Sequence, residues 1–318
     1  MNGAMLRLIA GRVLLGLLTL LIVAALVFAA TELLPGDVAE ALLGQSATPA
    51  AVAGLRVAMH LDQPAWQRFL LWLARLLGGD PGRSLVNQLP VAGLIGSRLP
   101  NSLRLASITA CVTVPLALTL GVTTAMARGS RYDRLMGMGI VAIVSLPEFL
   151  IASLAVLVFA VKLRWLPALA FRSGPQDVWT TLRLLAMPVG TLALVGIGQM
   201  ARMTRAALIA VLDSPYIEMA RLKGAGPVRI VLVHALPNAI GPIVNAVALS
   251  TSFLLGGVII VETIFNYPGL AKLMVDAVST RDLPLVQACA MLFCAAYLAF
   301  VLLADVVAIL SNPRLRRR

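Results

Sequence analysis

Six apolar runs, each close to the length needed to cross a bilayer, constrain the fold of this chain more than any other feature. They lie at Val13–Thr31, between Arg104 and Arg128, and at Leu135–Val161, Leu184–Met200, Ala235–Val261 and Leu283–Ala304. The whole chain is 60% hydrophobic and 13% charged, which is far from the average of soluble proteins. These runs predict an all-α membrane protein with six transmembrane helices.

The first run could instead belong to a cleaved signal peptide. Its apolar core is longer than that of an ordinary signal peptide, and no clear A-x-A cleavage site follows it. A retained membrane anchor is therefore the favoured interpretation of residues 13–31.

Basic residues are distributed unequally over the segments that join the runs. Fourteen of the 26 Lys and Arg residues lie in the N-terminus, the loop after Arg128, the central segment 202–237 and the C-terminus, against six in the two short loops of the other side. Cytoplasmic loops carry the excess of positive charge, so both termini are predicted to be cytoplasmic. The net charge of +12 is explained in the same way, and no basic segment is interleaved with aromatic residues as nucleic-acid binding would require.

The predicted organisation has four parts. Residues 1–31 form the cytoplasmic N-terminus and first helix, 32–100 an outer loop region, 101–310 the transmembrane core with a cytoplasmic segment 202–237, and 311–318 a basic cytoplasmic tail. Helices are expected to begin near Pro49 and Pro64 in the outer region. An apolar face at helical spacing there could either pack on the ends of the spans or bind an outer partner; its residues are Trp66, Phe69, Leu70, Leu73, Leu76 and Leu77.

The central segment contains a helix-turn-helix pattern. Ser214 is a candidate N-cap, Pro215 suits the first helical position, and Gly224 suits the left-handed residue after the helix end. Gly226 and Pro227 can begin a second helix that carries Val228, Val231, Leu232 and Ala235. A helix of about nine residues is marginal by itself, so we expect it to dock against a partner. Four apolar residues of that helix are predicted to be exposed for this purpose: Tyr216, Ile217, Met219 and Leu222.

Acidic residues and glycines inside the spans are candidates for a translocation path. Pro147 and Glu148 place a helix break beside an acid within the third run, where Glu148 could line a path or be paired structurally. Gly256 and Gly257 allow close packing or, alternatively, a gate hinge. Glu262 and Asp305 lie near span ends, where snorkelling or paired acids are common.

Catalytic chemistry is not expected of this chain. None of its three lysines, Lys162, Lys223 and Lys272, follows a glycine, so the Walker A sequence is missing. The two histidines, His60 and His234, and three cysteines within the spans provide neither a catalytic triad nor a metal site. The sequence predicts no catalytic residue, no bound metal and no cofactor.

The central segment resembles the EAA loop of binding-protein-dependent ABC importer permeases. Glu218, Ala220, Gly224, Leu236 and Pro237 have its spacing, with Met219 where Ala is usual. The stretches ARLKG, HALPNA and VETIFNYPGL are similar to the dipeptide, oligopeptide and nickel branch, and the resemblance covers nearly the whole chain. It implies the type I ABC importer permease fold in the cell inner membrane, with a coupling helix inserted in a cytoplasmic ATPase subunit.

The resemblance also implies partners. These are a second, different permease chain, two ATP-binding subunits that use ATP and magnesium, and an outer solute-binding protein. The coupling contact is assigned to Tyr216, Glu218, Met219, Ala220, Arg221, Lys223, Gly224, Leu236 and Pro237. The cargo would be a dipeptide, a longer peptide or a nickel complex. A stand-alone secondary transporter is the alternative, although it would normally show internal repeats and would leave the EAA spacing unexplained.

Overall fold

The computed structural model describes residues 3–33, 48–58, 63–171, 174 and 177–311, and these residues are overwhelmingly helical. The helices are α1 (Gly3–Glu32), α2 (Pro49–Ala58), α3 (Ala65–Leu77), α4 (Val91–Met126), α5 (Arg131–Val144), α6 (Glu148–Ala155), α7 (Val178–Leu212), α8 (Pro215–Leu222), α9 (Pro227–Arg229), α10 (Leu236–Ile264), α11 (Leu270–Ser279) and α12 (Leu283–Ser311). Two π-helical segments, Val156–Lys162 and Ile230–Ala235, continue α6 and join α9 to α10.

Five helical segments are long and apolar enough to cross a membrane, and a bent pair makes a sixth span. The five are Arg7–Glu32, Val91–Met126, Val178–Leu212, Pro227–Ser252 and Leu283–Leu303. The predicted all-α fold with six spans is confirmed. The helices extend beyond the uncharged runs, however: α4 begins at Val91, inside the predicted outer region, and α7 includes Arg183, Arg202 and Arg205.

The third span is sharply broken at Pro147. Helix α5 and the helix that begins at Glu148 differ in direction by 96°. Pro147 has φ −59° and ψ 140°, angles of extended polyproline-like backbone and not of a helix. Proline has no N–H for an intrahelical hydrogen bond and disfavours helical geometry in the residue before it, so the chain leaves α5 after Val144 and restarts at Glu148.

The chain divides into two compact units. The first comprises Leu103–Tyr267 together with the helix ends up to Val13 and from Tyr297. Helix α7 is its most enclosed span, with two thirds of the apolar window buried. It packs against α5, α6 and α10, and the small residues Gly196 and Gly198 face Thr113 and Val144 where a methyl group would not fit.

The second unit comprises Leu14–Ser102 and Pro268–Ala296. Its core contains Val91, Leu270, Leu285 and Cys289. Polar contacts tie its parts together: Asp282 accepts hydrogen bonds from the Ser84 hydroxyl and the Leu85 N–H, and Gln287 Nε2 donates to Thr31 Oγ1 at 2.7 Å.

The outer helices begin where the prolines predicted, at Pro49 and just after Pro64. The apolar face predicted for α3 is only partly correct. Phe69 and Trp72 contact the Phe28 ring, with centroids 5.4 and 5.9 Å away, whereas Trp66, Leu70 and Leu77 are exposed. Trp72 therefore takes part in the inward face in place of the predicted Trp66. The proposed basic tail, 311–318, lies almost wholly outside the described residues.

Candidate functional site

The short central helix α8 has the limits that the sequence predicted. Pro215 occupies its first turn and Ser214 the N-cap position, with extended backbone at ψ 149°. The Ser214 hydroxyl does not cap the helix, because it donates backward to the Val211 carbonyl. The N-terminus of α8 is thus set by backbone geometry and proline rather than by the side-chain cap that we expected.

Gly224 ends α8 in the left-handed conformation. Its φ is +82°, and its N–H donates to Arg221 O at 2.9 Å while the Ala225 N–H reaches Ala220 O at 3.1 Å. Only glycine adopts such a φ without strain, so the predicted turn is confirmed. Pro227 then begins the next helix after Gly226, as predicted.

Ile217 anchors α8 to the rest of its unit. Its side chain is 0% exposed and packs in a cluster with Leu208, Ile230, Val231 and Ala235. The prediction that Ile217 is exposed for a partner was wrong, because this face of α8 is turned toward α7 and the π-helical segment Ile230–Ala235. The short helix therefore has an internal docking partner, which offsets its poor intrinsic stability.

The opposite face of α8 is open. Tyr216, Met219 and Leu222 are exposed by 45, 55 and 75%, and the charged residues Glu218, Arg221 and Lys223 are exposed too. Of the other residues assigned to the coupling contact, Ala220 and Leu236 are half-buried and Pro237 is exposed. The outer face of α8 combines apolar and charged groups, and the buried Ile217 holds the helix in place, as a helix that docks on a partner requires.

A cavity of about 430 Å³ lies beside α8. Arg221 and Asp213 line it, and Arg128 Nη1 donates to both carboxylate oxygens of Asp213 at 2.8 and 2.9 Å. Both side chains of this pair are more than half exposed, so the pair shapes the cavity rim and contributes little stability.

A second ion pair braces the loop that precedes α5, and sequence reasoning missed it. Arg205 Nε and Nη2 donate to Asp133 Oδ1 and Oδ2, both at 2.8 Å. Asp133 Oδ2 also accepts from Gly129 N–H at 3.0 Å, and Ser130 Oγ accepts from the Asp133 N–H. The Ser130–Asp133 spacing resembles a capping box, so the sequence did contain a signal for an ordered helix start at this point. Nothing in the sequence indicated that Arg205 is the partner of Asp133.

The structure brings Glu148 and Gly257 together. A methyl group built on Gly257 would lie 2.7 Å from Glu148 Oε2, so the carboxylate occupies the space that a side chain at 257 would fill. Both residues line a cavity of about 270 Å³ between α5, α6, α7 and α10. Gly256 points away, being exposed with nothing within 4 Å of a built methyl group, and Pro147 is exposed at the break.

Glu262 and Asp305 have different surroundings. Glu262 is 0% exposed near the end of α10, so it is not a snorkelling residue, and its carbonyl accepts from Tyr267 N–H at 2.8 Å. Asp305 accepts from Arg12 Nη1 at 3.0 Å, as the structural interpretation of a paired acid predicted. Neither lines the cavity that contains Glu148. Within the described part of the chain, no group of three or more His, Cys, Asp or Glu side chains is arranged to hold a metal ion.

Comparison with known families and proteins agrees with this architecture. The family described as "Binding-protein-dependent transport system inner membrane component" matches residues 117–317, and its N-terminal companion matches residues 5–106. The chain is 37% identical over 313 residues to a putative peptide transport system permease protein of Brucella abortus, covering 98% of this chain and 99% of that protein.

Two other relatives have similar coverage. A glutathione transport system permease protein of Salmonella typhimurium is 38% identical over 305 residues, which cover 95% of this chain and 97% of that protein. A probable peptide ABC transporter permease protein of Sinorhizobium fredii is 34% identical over 290 residues, which cover 91% of this chain and 93% of that protein. The family is a transmembrane permease subunit and not itself an ATPase, and it works with ATPase and binding-protein partners. This chain therefore belongs to the binding-protein-dependent transport system inner membrane component family and is an inner-membrane ABC importer permease of the peptide branch.

Proposed function

We propose that this chain forms half of the translocation path of an ATP-driven importer of dipeptides or oligopeptides. The names of its relatives, which refer to peptides and glutathione, support a small peptide as cargo more directly than a nickel complex. The second permease would be a different chain, and two cytoplasmic subunits would bind ATP and magnesium. An outer solute-binding protein would deliver the cargo.

The observation that carries the coupling part of this proposal is the anchored, open helix α8. Ile217 fixes its inner face, while Tyr216, Met219 and Leu222 remain exposed on the other. A contact that transmits a conformational change must be rigid on the permease side and complementary on the ATPase side. We assign the ATPase contact to the exposed face, with Glu218, Arg221 and Lys223 supplying charge and Gly224 setting the turn.

The same proposal fixes the orientation of the chain. If α8 contacts an ATPase, it lies on the cytoplasmic side, and an even number of spans places both termini there. The distribution of basic residues over the loops supports this orientation. Thiol labelling of intact cells would test it, using a single cysteine placed at the exposed Leu222 in a background lacking Cys111, Cys289 and Cys294: a membrane-permeant reagent should label this cysteine and an impermeant one should not.

Transport in proteoliposomes tests the function. The complex purified through this chain is reconstituted with its copurified subunits, and uptake of dipeptides, longer peptides and nickel chelates is compared with and without ATP and the binding protein. We expect peptide uptake that requires both. Uptake driven by an ion gradient without ATP would instead support a stand-alone secondary transporter and refute the coupling proposal.

A further inference from the structure

A half-buried glutamate with one buried, unpartnered carboxylate oxygen lies at the break in the third span. Glu148 Oε1 is inaccessible to solvent and has no hydrogen-bond partner. No ion pair of Glu148 is found among the described residues. The carboxylate borders the cavity of about 270 Å³ whose lining residues are Val144, Glu148, Val195, Gly196, Gln199, Ser250, Leu254 and Gly257.

A second lining residue, Ser250, also has an unpartnered oxygen. Ser250 Oγ is also buried without a hydrogen-bond partner, and Ser250 is 2% exposed. The remaining polar lining residue is Gln199, whose Oε1 accepts from Arg202 Nη2 at 2.7 Å, so this nearby cation is engaged with Gln199. Among the lining residues that the structure describes, Glu148 alone is ionisable.

An unpaired carboxylate in such a place is costly. Charged groups within spans are normally paired or solvated, because the low dielectric surroundings strengthen electrostatic penalties. No side chain among the described residues supplies a cationic hydrogen-bond donor to Glu148 Oε1 or Ser250 Oγ. A primary ammonium group has three N–H donors and one positive charge, and it is small enough for a cavity of about 270 Å³.

A metal cation fits these residues less well. Calcium and magnesium take at least six oxygen ligands, commonly including several carboxylates. The lining contains one carboxylate, one hydroxyl and one amide. The donor set is therefore poor for a metal but adequate for an ammonium group.

We propose that this cavity binds the α-ammonium group of the peptide in transit, with Glu148 as counter-ion and Ser250 as a hydrogen-bond acceptor. The proposal rests on the peptide import proposed above and specifies one subsite of the path. Gly257 is a positioning residue, because any side chain at 257 would displace the carboxylate.

Peptide binding by the assembled permease and ATPase subunits in nanodiscs tests the subsite. The solute-binding protein is left out so that its own selectivity does not contribute. The dissociation constants of radiolabelled trialanine and N-acetyltrialanine are measured for the parental complex and for Glu148→Gln, Ser250→Ala and Gly257→Ala. Ser153→Ala, on the exposed side of α6, and Gly241→Ala in α10 are the matched controls, since neither residue lines the cavity and nothing lies within 4 Å of a methyl group built on Gly241.

We expect the parental complex to bind trialanine at least about tenfold more tightly than N-acetyltrialanine, a difference typical of a buried charge-assisted hydrogen bond. Glu148→Gln should abolish this preference and Gly257→Ala should reduce it, while both controls keep it. Ser250→Ala should reduce the preference for trialanine about threefold. This variant serves as the test if Glu148→Gln does not assemble.

Three results would overturn the subsite: equal affinity of the parental complex for both peptides, an unchanged preference in Glu148→Gln, or displacement of trialanine by sub-millimolar calcium. Trialanine uptake by the complete transporter separates this proposal from the proposed function. Absence of ATP-dependent uptake refutes peptide import, whereas normal uptake without a preference for the free amine refutes the ammonium subsite alone.

Discussion

Replacing Gly224 by valine should uncouple ATP hydrolysis from transport. A methyl group built on Gly224 has nothing within 4 Å, so the substitution causes no steric overlap with other residues. Its whole effect comes from φ +82°, which a β-branched residue adopts at a cost of about 1–3 kcal/mol. A strain of about 2 kcal/mol lowers the population of the native turn roughly thirtyfold. The chain would relax by moving Arg221 and Lys223 away from their positions at the end of α8.

Gly226 provides a matched control for this substitution. It is two residues away and equally open, but its φ of −69° and ψ of 158° suit any residue, including valine before a proline. Gly226→Val should therefore behave like the parental chain. Gly224→Asn should recover part of the activity, because asparagine tolerates the left-handed region better than valine.

The assay is the number of ATP molecules hydrolysed per peptide imported by reconstituted complexes, with subunit assembly measured by size-exclusion chromatography. We expect Gly224→Val to assemble and hydrolyse ATP while the uptake per ATP falls at least about fivefold, in line with the lost turn population. Normal assembly with parental uptake in Gly224→Val would refute the coupling argument, as would an equal loss in Gly226→Val.

Two further predictions concern stability, read out by thermal unfolding in detergent. Arg205→Ala should lower the free energy of unfolding of the first unit by about 2–3 kcal/mol, because it leaves the largely buried Asp133 carboxylate without its two-bond partner. Arg128→Ala, which removes an ion pair whose two side chains are both more than half exposed, should lower it by under about 1 kcal/mol. Equal losses would contradict this ranking. Ile217→Ala should lower the free energy of unfolding by about 2–4 kcal/mol and loosen α8, because core packing is lost. Leu222→Ala, at an exposed position, should leave the unfolding temperature equal to that of the parental chain within error and should weaken only ATPase binding.

The local features of this fold were accessible from the sequence because they depend on neighbouring residues. The apolar runs predicted the spans, Pro147 predicted the break, and Gly224 predicted the left-handed turn, each through a property of the residue itself. The true limits of α4 and α7 were missed, because both helices continue past the charged residues at which the uncharged runs end. Charged residues at the ends of a helix do not stop it where tertiary packing or exposure to water accommodates them.

Features that depend on distant residues were not accessible in the same way. Helix α8 has apolar residues on several sides, so its sequence did not decide that Ile217 is the buried one and that Tyr216 and Leu222 are exposed. The Arg205–Asp133 pair joins two helices whose register the sequence does not specify. In both cases the missing information was which helix faces which.

Glu148 and Gly257 show how two unrelated sequence features become one physical unit. Each was a separate candidate for the translocation path, the acid because it lies within a span and the glycine because, besides close packing, it permits a gate hinge. In the structure the carboxylate fills the space beside Gly257, so neither residue can be altered without affecting the other. Residues in direct contact have non-additive effects. Once Glu148→Gln has removed the charge, Gly257→Ala should cause little further loss of trialanine affinity. Additive losses in the double variant would mean that Gly257 supports the path by a route other than the position of the carboxylate.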